Sequence, residues 1–172
     1  MSYKLHHLDF SIPSIQVFES IKNEDWSVFL NSNSKDYPDQ RFDILSAKPK
    51  KKIIFSDENA YLIDEDQQPK KSDLCPFELL KKIMSEYKSN SNSDIPFSGG
   101  AIGYISYDYG NYLHNIENKN KCFNHPLFAF GIYDWAIIYD YAQKKSFLLY
   151  HEKNTITEKI INNYEQKLER SL

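Results

Sequence analysis

The sequence predicts an α+β fold in which antiparallel β-sheets are packed by about three helices. Three observations support this fold class. Short segments that alternate apolar and polar residues predict about eight strands. Three other segments carry apolar residues at helical spacing. Hydrophobic residues make up 41% of the 172-residue chain, which is enough for a core, and 26% of the residues are charged, as in ordinary globular proteins.

The first part of the chain predicts one helix and five strands. Residues 2–9 alternate loosely enough for a strand. Pro13 suits the first turn of a helix whose apolar stripe is formed by Ile15, Phe18 and Ile21. Four further strands are predicted, the last two as a hairpin, over residues 26–31, 41–47, 51–55 and 59–63.

The middle of the chain predicts a surface loop and a second helix. The loop covers residues 64–73, and Pro76 stands near the start of the helix. The apolar face of that helix is expected to consist of Phe77, Leu80, Met84 and Tyr87. The lysines at 50–52 precede an apolar strand and are interpreted as a solvated strand edge that prevents edge-to-edge pairing.

The last part of the chain predicts a glycine-rich turn, further strands and a third helix. Residues 97–107 run from the turn into a strand, and the apolar run at 127–139 predicts a strand that is buried on both faces or passes between layers. Residues 146–150 pair with that run. The helix opens with Thr155 and Glu158 at capping-box spacing. Its apolar face is expected to be Ile156, Ile160, Tyr164 and Leu168.

Composition and charge exclude several functional classes. No apolar run approaches the ~20 residues of a membrane helix, and the first 30 residues lack a secretory signal, so we expect a cytoplasmic protein. A net charge of −3 and only two arginines argue against nucleic-acid binding. Cys75 and Cys122 are expected to be free thiols. The five histidines lack metal-ligand spacing, so neither a metal nor a cofactor is expected in this chain.

All five glycines lie between positions 99 and 131. The segment SGGAIG is one glycine short of the dinucleotide-binding fingerprint, because Ser98 stands at its first position. That fingerprint must open a helix, whereas Tyr104, Ser106 and Asp108 alternate with apolar residues as in a strand. The glycines are therefore interpreted as a turn followed by a closely packed strand.

Three segments resemble a known family, the N-terminal domain of component I of aminodeoxychorismate synthase and anthranilate synthase. PFSGGAIGYISYDYG at 96–110 resembles the glycine-rich motif of that domain, which we assign to Gly99, Gly100, Gly103, Tyr107 and Asp108. RFDILSAKP at 41–49 and GIYDWAIIYD at 131–140 support the resemblance, and the latter is most similar to the aminodeoxychorismate branch. Asn111, Tyr112 and Leu113 depart from the basic and acidic pair that often follows the motif.

The resemblance implies that residues 1–172 are the N-terminal half of a two-domain, chorismate-utilising fold. The catalytic domain, with its chorismate pocket, lysine and magnesium-binding glutamates, would be missing, and the fragment alone is expected to be inactive. The parent would form 4-amino-4-deoxychorismate for 4-aminobenzoate and folate synthesis, with ammonia from a glutamine amidotransferase component II. The alternatives are anthranilate synthase component I and a free-standing binding module without catalysis.

The resemblance also implies part of a tryptophan pocket. By position, Ser32, Arg41 and Phe42 match residues that line and close it, while Asp39 and Gln40 occupy variable positions. The residues themselves also allow Arg41 to pair with a neighbouring carboxylate instead of a ligand. Since the other wall belongs to the missing domain, we expect little or no tryptophan binding. A severed domain should also expose an apolar face and self-associate through that face or through an open strand edge.

Overall fold

The computed structural model describes residues 3–32, 41–65, 67–87, 94–116 and 125–151. Within these residues the chain forms ten strands and three helices. In chain order they are β1 (Tyr3–Leu8), α1 (Ser14–Ile21), β2 (Val28–Leu30), β3 (Phe42–Ser46), β4 (Lys51–Ser56), β5 (Asn59–Asp64), β6 (Lys70–Ser72), α2 (Pro76–Glu86), β7 (Gly100–Ile105), α3 (Asp108–Leu113), β8 (Phe128–Tyr133), β9 (Trp135–Asp140) and β10 (Lys145–His151).

The chain divides into two compact units, each with its own five-stranded sheet. The first unit comprises residues 1–48, 89–100 and 133–172, and the second comprises residues 49–88 and 101–132. The strand pairs with a defined register are all antiparallel in both sheets. This arrangement confirms the predicted α+β class. None of the helices in the described ranges is both long and apolar enough to cross a membrane.

The sheet of the first unit has the strand order β1-β10-β9-β3-β2 and is covered on both faces. All six residues of β9 are buried at its centre. Trp135 and Ile137 belong to the cluster that includes Val17 and Ile21 of α1. Ile138 faces the other cluster, against which Phe97 packs. A strand covered on both faces needs apolar residues at every position, which explains the unbroken run in the sequence.

Helix α1 is confirmed, but its buried face differs from the prediction. The buried positions are Ser14, Val17 and Ile21, whereas Ile15 is 51% exposed. These three positions follow helical spacing with a polar residue at the first of them. The Ser14 hydroxyl is buried because it donates a hydrogen bond to a buried carboxylate of the sheet, and this partner cannot be read from the helix sequence.

The sheet of the second unit has the strand order β6-β5-β4-β8-β7. Its core cluster includes Ile53 of β4, Phe128 of β8 and the α2 residues Leu79 and Ile83. The predicted face of α2 is confirmed in part: Leu80, Met84 and Tyr87 pack against this cluster, whereas Phe77 is 46% exposed. The prediction missed Leu79 and Ile83, which are more deeply buried. Phe77 instead contacts the ring edge of Phe128 at the margin of the core.

Other elements differ from the prediction in instructive ways. The predicted loop at 64–73 contains β6, which pairs with β5. Strand β4 lies between β5 and β8, so the lysines at 50–52 are not at a sheet edge, and Lys51 pairs with Asp64 across the hairpin at 3.0 Å. The apolar run at 127–139 passes from one sheet to the other, as the second of its two predictions has it, but as two strands separated at Asp134. The helix predicted from Thr155 lies outside the described residues.

The strand that follows the glycine-rich turn is shorter than predicted. Strand β7 ends at Ile105 and α3 begins at Asp108, so the placement of Asp108 within a strand was wrong. The backbone N–H of Asp108 donates to the Ser106 hydroxyl at 3.3 Å. Serine side chains compete for backbone groups in this way at the ends of regular elements, and a strand pattern does not reveal it.

Gly103 is required by the close approach of strand β8. A Cβ atom at this position would lie 2.1 Å from the Ala129 carbonyl oxygen and 2.6 Å from the Phe130 Cα atom. Both atoms belong to backbone and cannot move away alone. Gly110, inside α3, has no atom within 4 Å of the corresponding position. The two glycines thus form a matched pair, since only one of them is needed for packing.

We predict opposite effects of alanine at these two positions. Gly103→Ala should lower the free energy of unfolding by about 1–3 kcal/mol, because the added methyl group overpacks a backbone contact. Gly110→Ala should raise it by about 0.5–1 kcal/mol, because alanine favours the helix. Urea unfolding of the 172-residue chain measures both changes. Equal midpoints for the two variants would contradict this account of Gly103.

Candidate functional site

The candidate site lies where β2 ends and β3 begins. These strands pair antiparallel, with Leu30 opposite Ile44, so Ser32 just after β2 and Arg41 just before β3 lie at the same end of the sheet. Phe42 is the first residue of β3. The connection between Ser32 and Arg41, including Asp39 and Gln40, lies outside the described residues. Strand pairing therefore places at one end of the sheet the three residues that the family resemblance assigned to a ligand pocket.

A buried carboxylate, Asp43, organises this end of the sheet. It is 1% exposed and accepts hydrogen bonds from four side chains and one backbone group. The donors are the Ser14 hydroxyl (2.6 Å), the Tyr141 hydroxyl (2.7 Å), the Asn31 amide (3.2 Å), the Ser32 backbone N–H (2.7 Å) and the Ser32 hydroxyl (3.1 Å). A buried carboxylate without donors would be very costly, so this set of donors makes its position possible.

The donors of Asp43 come from three separate parts of the first unit. Ser14 begins α1, Asn31 and Ser32 follow β2, and Tyr141 follows β9. Burial, and secondarily the neighbouring Asp43, raises the pKa of the Tyr141 hydroxyl to about 12. Tyr141 therefore stays protonated at neutral pH and remains a donor. The carboxylate fixes the position of Ser32 through both its backbone and its side chain.

Arg41 is bound to a second carboxylate, Asp140. Its Nε and Nη2 atoms donate to the two carboxylate oxygens of Asp140 at 2.9 and 2.6 Å, a two-pronged ion pair. Asp140 is 4% exposed, and the Arg41 hydrogen bonds are the main reason why its pKa lies below the ordinary value. Of the two partners considered for Arg41, a ligand or a neighbouring carboxylate, the structure shows the neighbouring carboxylate.

Phe42 lies between this ion pair and the core. The guanidinium carbon of Arg41 stands 4.5 Å from the centre of the Phe42 ring, a cation–π contact. Phe42 also packs against the cluster that contains Ala136 and Ile138. Phe42 therefore supports the Arg41–Asp140 ion pair on one side and extends the apolar cluster on the other.

The residues of the glycine motif make contacts of their own. Gly99 and Gly100 have φ values of +98° and +139° and lead into β7, so they provide the predicted turn. Tyr107 is 91% exposed, and Asp108 accepts a hydrogen bond from the Asn111 amide at 3.3 Å within α3. None of the contacts of Ser32, Arg41 or Phe42 described above involves them, and their assignment as a structural motif stays a prediction.

Sequence reasoning missed Asp43, Asp140 and Tyr141. The signal for Asp43 was present, because an acidic residue between Phe42 and Ile44 on an otherwise apolar strand needs hydrogen-bond donors when it is buried. Its partners are 11 to 98 residues away along the chain, so no local pattern identifies them. In the described ranges of the chain, no three His, Cys, Asp or Glu side chains come together as a metal site.

We predict that Asp43→Asn strongly destabilises the chain. The amide keeps the shape of the carboxylate but loses its charge and turns an N–H₂ group toward the donors. The expected loss is about 2–4 kcal/mol of the free energy of unfolding. The matched control is Asp73→Asn, since Asp73 is exposed, and it should change stability by less than about 0.5 kcal/mol. Urea unfolding that gave both variants the same midpoint would refute the role assigned to Asp43.

We also predict an acid-dependent contribution from Asp140. Because its pKa is lowered by folding, the ion pair contributes fully above the unfolded value of about 3.9 and is lost as the pH falls through the folded value. Asp140→Asn should therefore be less stable than the wild type by a constant amount at neutral pH, and this gap should narrow below about pH 4. Urea unfolding from neutral to acidic pH measures the gap, and a gap that does not narrow would contradict the assignment.

Comparisons with known proteins agree on one family. A model of the chorismate binding enzymes matches residues 29–171. The chain is 29% identical over 137 residues to aminodeoxychorismate synthase component 1 of Escherichia coli, which covers 78% of this chain and 30% of that protein. It is 31% identical over 147 residues to anthranilate synthase component 1 of Lactococcus lactis, which covers 84% of this chain and 31% of that protein.

A solved structure shows the same fold. Anthranilate synthase component I from Streptococcus pneumoniae superposes with a TM-score of 0.59 and 23% sequence identity, over 92% of this chain and 34% of that chain. The chain thus spans about a third of the length of the relatives and of the structure that it matches. Since the family model covers most of its residues, the chain belongs to the chorismate binding enzyme family.

Proposed function

We propose that the chain is the N-terminal, non-catalytic domain of aminodeoxychorismate synthase component I. The complete enzyme would convert chorismate to 4-amino-4-deoxychorismate for 4-aminobenzoate and folate synthesis, in the cytoplasm. A glutamine amidotransferase component II would supply the ammonia. Magnesium and the catalytic residues would belong to a C-terminal domain, and this chain would contribute no catalytic residue of its own.

The observation that carries this proposal is the extent of the match. Residues 29–171 fit the family, yet the chain covers only 30% of the E. coli relative. Most of that relative thus has no counterpart in this chain, and we place the catalytic residues in the unmatched part. The acidic groups of the candidate site support a structural role, because Asp43 accepts five hydrogen bonds and Asp140 is paired with Arg41.

Within the enzyme, the candidate site would form one wall of a tryptophan pocket. Asp43 holds Ser32 in place, and the Ser32 hydroxyl donates to that carboxylate, so toward a ligand it would serve as an acceptor. Arg41 would shape the wall by orienting against Phe42, because its guanidinium already binds Asp140. The second wall would come from the C-terminal domain, so we infer that this chain alone binds tryptophan weakly or not at all.

The second candidate is the corresponding domain of anthranilate synthase component I. The 31% identity to the L. lactis protein and the likeness to the S. pneumoniae structure favour it. Against it stands the segment GIYDWAIIYD at 131–140, which is most similar to the aminodeoxychorismate branch. The two candidates share the same fold and the same site, and they differ in the product of the complete enzyme.

We predict that the 172-residue chain forms no product from chorismate, ammonia and magnesium, while the E. coli component 1 does so under the same conditions. A chimaera in which this chain replaces the matching segment of the E. coli protein should restore turnover and yield 4-amino-4-deoxychorismate. Chromatography with mass detection identifies the product. Turnover by the chain alone would overturn the proposal, and a complete enzyme from the source gene that made anthranilate would favour the second candidate.

A further inference from the structure

Exposed apolar side chains are concentrated in one short segment of the second unit. Ten large hydrophobic residues are exposed in the described parts of the chain, and six of them fall within residues 104–116. We call this segment, from the end of β7 through α3, the apolar strip. Its exposed members are Tyr104, Ile105, Tyr107, Tyr112, Leu113 and Ile116. Scattered exposed hydrophobic residues need no explanation, but a cluster of this kind marks an interaction surface.

The strip is anchored to the core beneath it. Tyr109, in the middle of α3, is 4% exposed, and its ring centre lies 5.5 Å from that of Phe55 and 5.8 Å from that of Phe77. The Tyr112 ring stands 4.8 Å from the Phe55 ring while 38% of the residue stays exposed. The strip is therefore presented by a packed helix, and binding would not require the segment to fold first.

The composition of the strip is typical of a protein interface. Four of its thirteen residues are tyrosines. Asp108 is its one Asp, Glu, Lys or Arg residue, whereas these four types make up 26% of the whole chain. Interface cores are enriched in tyrosine and depleted of charged side chains. A membrane-binding helix would instead carry lysine or arginine along its polar face, and this segment has neither.

We infer that the apolar strip is the surface on which the remaining part of the enzyme packs. This inference rests on the proposed function, and it adds the residues that form the contact. The occupant follows from the comparisons, since roughly two thirds of each matched relative has no counterpart in this chain. A partner that covered the strip would bury exposed apolar area, and the strip holds six of the ten large hydrophobic residues that are exposed within the described parts of the chain.

The test compares two lysine substitutions on exposed helical positions. Leu113 in α3 is 57% exposed and Ile15 in α1 is 51% exposed, so neither change should disturb the fold. The binding partner is the part of E. coli aminodeoxychorismate synthase component 1 that this chain does not match, purified separately. Calorimetry and sedimentation velocity measure the complex with the wild-type chain, with Leu113→Lys and with the control Ile15→Lys.

The wild-type chain and Ile15→Lys should bind the partner with equal affinity, and Leu113→Lys should bind at least about tenfold more weakly. Equal binding of all three chains, or no complex with the wild-type chain, would overturn the inference. A homodimer that Leu113→Lys dissociates would overturn it too, because a second copy would then be the occupant. The same measurement is repeated with the unmatched part of the L. lactis protein. If Leu113→Lys weakens binding to that partner and the chain does not bind the E. coli partner, the docking inference is supported and the aminodeoxychorismate assignment is contradicted.

Discussion

The arrangement of the first unit depends on one constraint, the burial of the Asp43 carboxylate. Apolar contacts between α1 and the sheet are not directional and would tolerate several positions of the helix. Hydrogen bonds to a buried carboxylate are directional, and losing any one of them leaves a polar group unsatisfied. Ser14, Ser32 and Tyr141 all donate hydrogen bonds to this carboxylate. These bonds can form together in only one arrangement of α1, the end of β2 and the turn after β9.

Two neighbouring carboxylates at this end of the sheet are stabilised in different ways. Phe42 lies opposite Asp140 and Asp43 lies opposite Tyr139 in the β3–β9 pair, so the two acidic side chains are one position apart in register. Asp43 is bound by neutral donors, while Asp140 binds the guanidinium of Arg41. The chain has only two arginines, and this one has two of its N–H groups committed to an internal pair. Asp140 therefore already occupies the Nε and Nη2 donors of Arg41.

The sequence predicted elements better than it predicted faces. Strands and the β4–β5 hairpin follow from alternation, which is a local property. The buried face of α1 was misjudged because its first buried residue, Ser14, is polar. On α2 the pattern found residues that pack at the margin of the core, such as Leu80 and Met84, and missed the fully buried Leu79 and Ile83. The break at Asp134 was hidden, since β8 and β9 are both almost entirely buried and give one apolar run. Asp43 was missed because its donors are assembled by tertiary structure alone.

The acidic side chains near the candidate site and the apolar side chains of residues 104–116 differ in how far their binding capacity is already used. The acidic groups near the candidate site are satisfied internally, so they have little capacity left to bind a reacting group or a metal ion. The apolar side chains of the segment from Tyr104 to Ile116 are mostly exposed to water, while Tyr109 of the same segment packs into the core. Exposed apolar area is a source of binding free energy when a partner covers it. The described part of the chain thus combines internally paired acidic groups in the first unit with exposed apolar groups in the second.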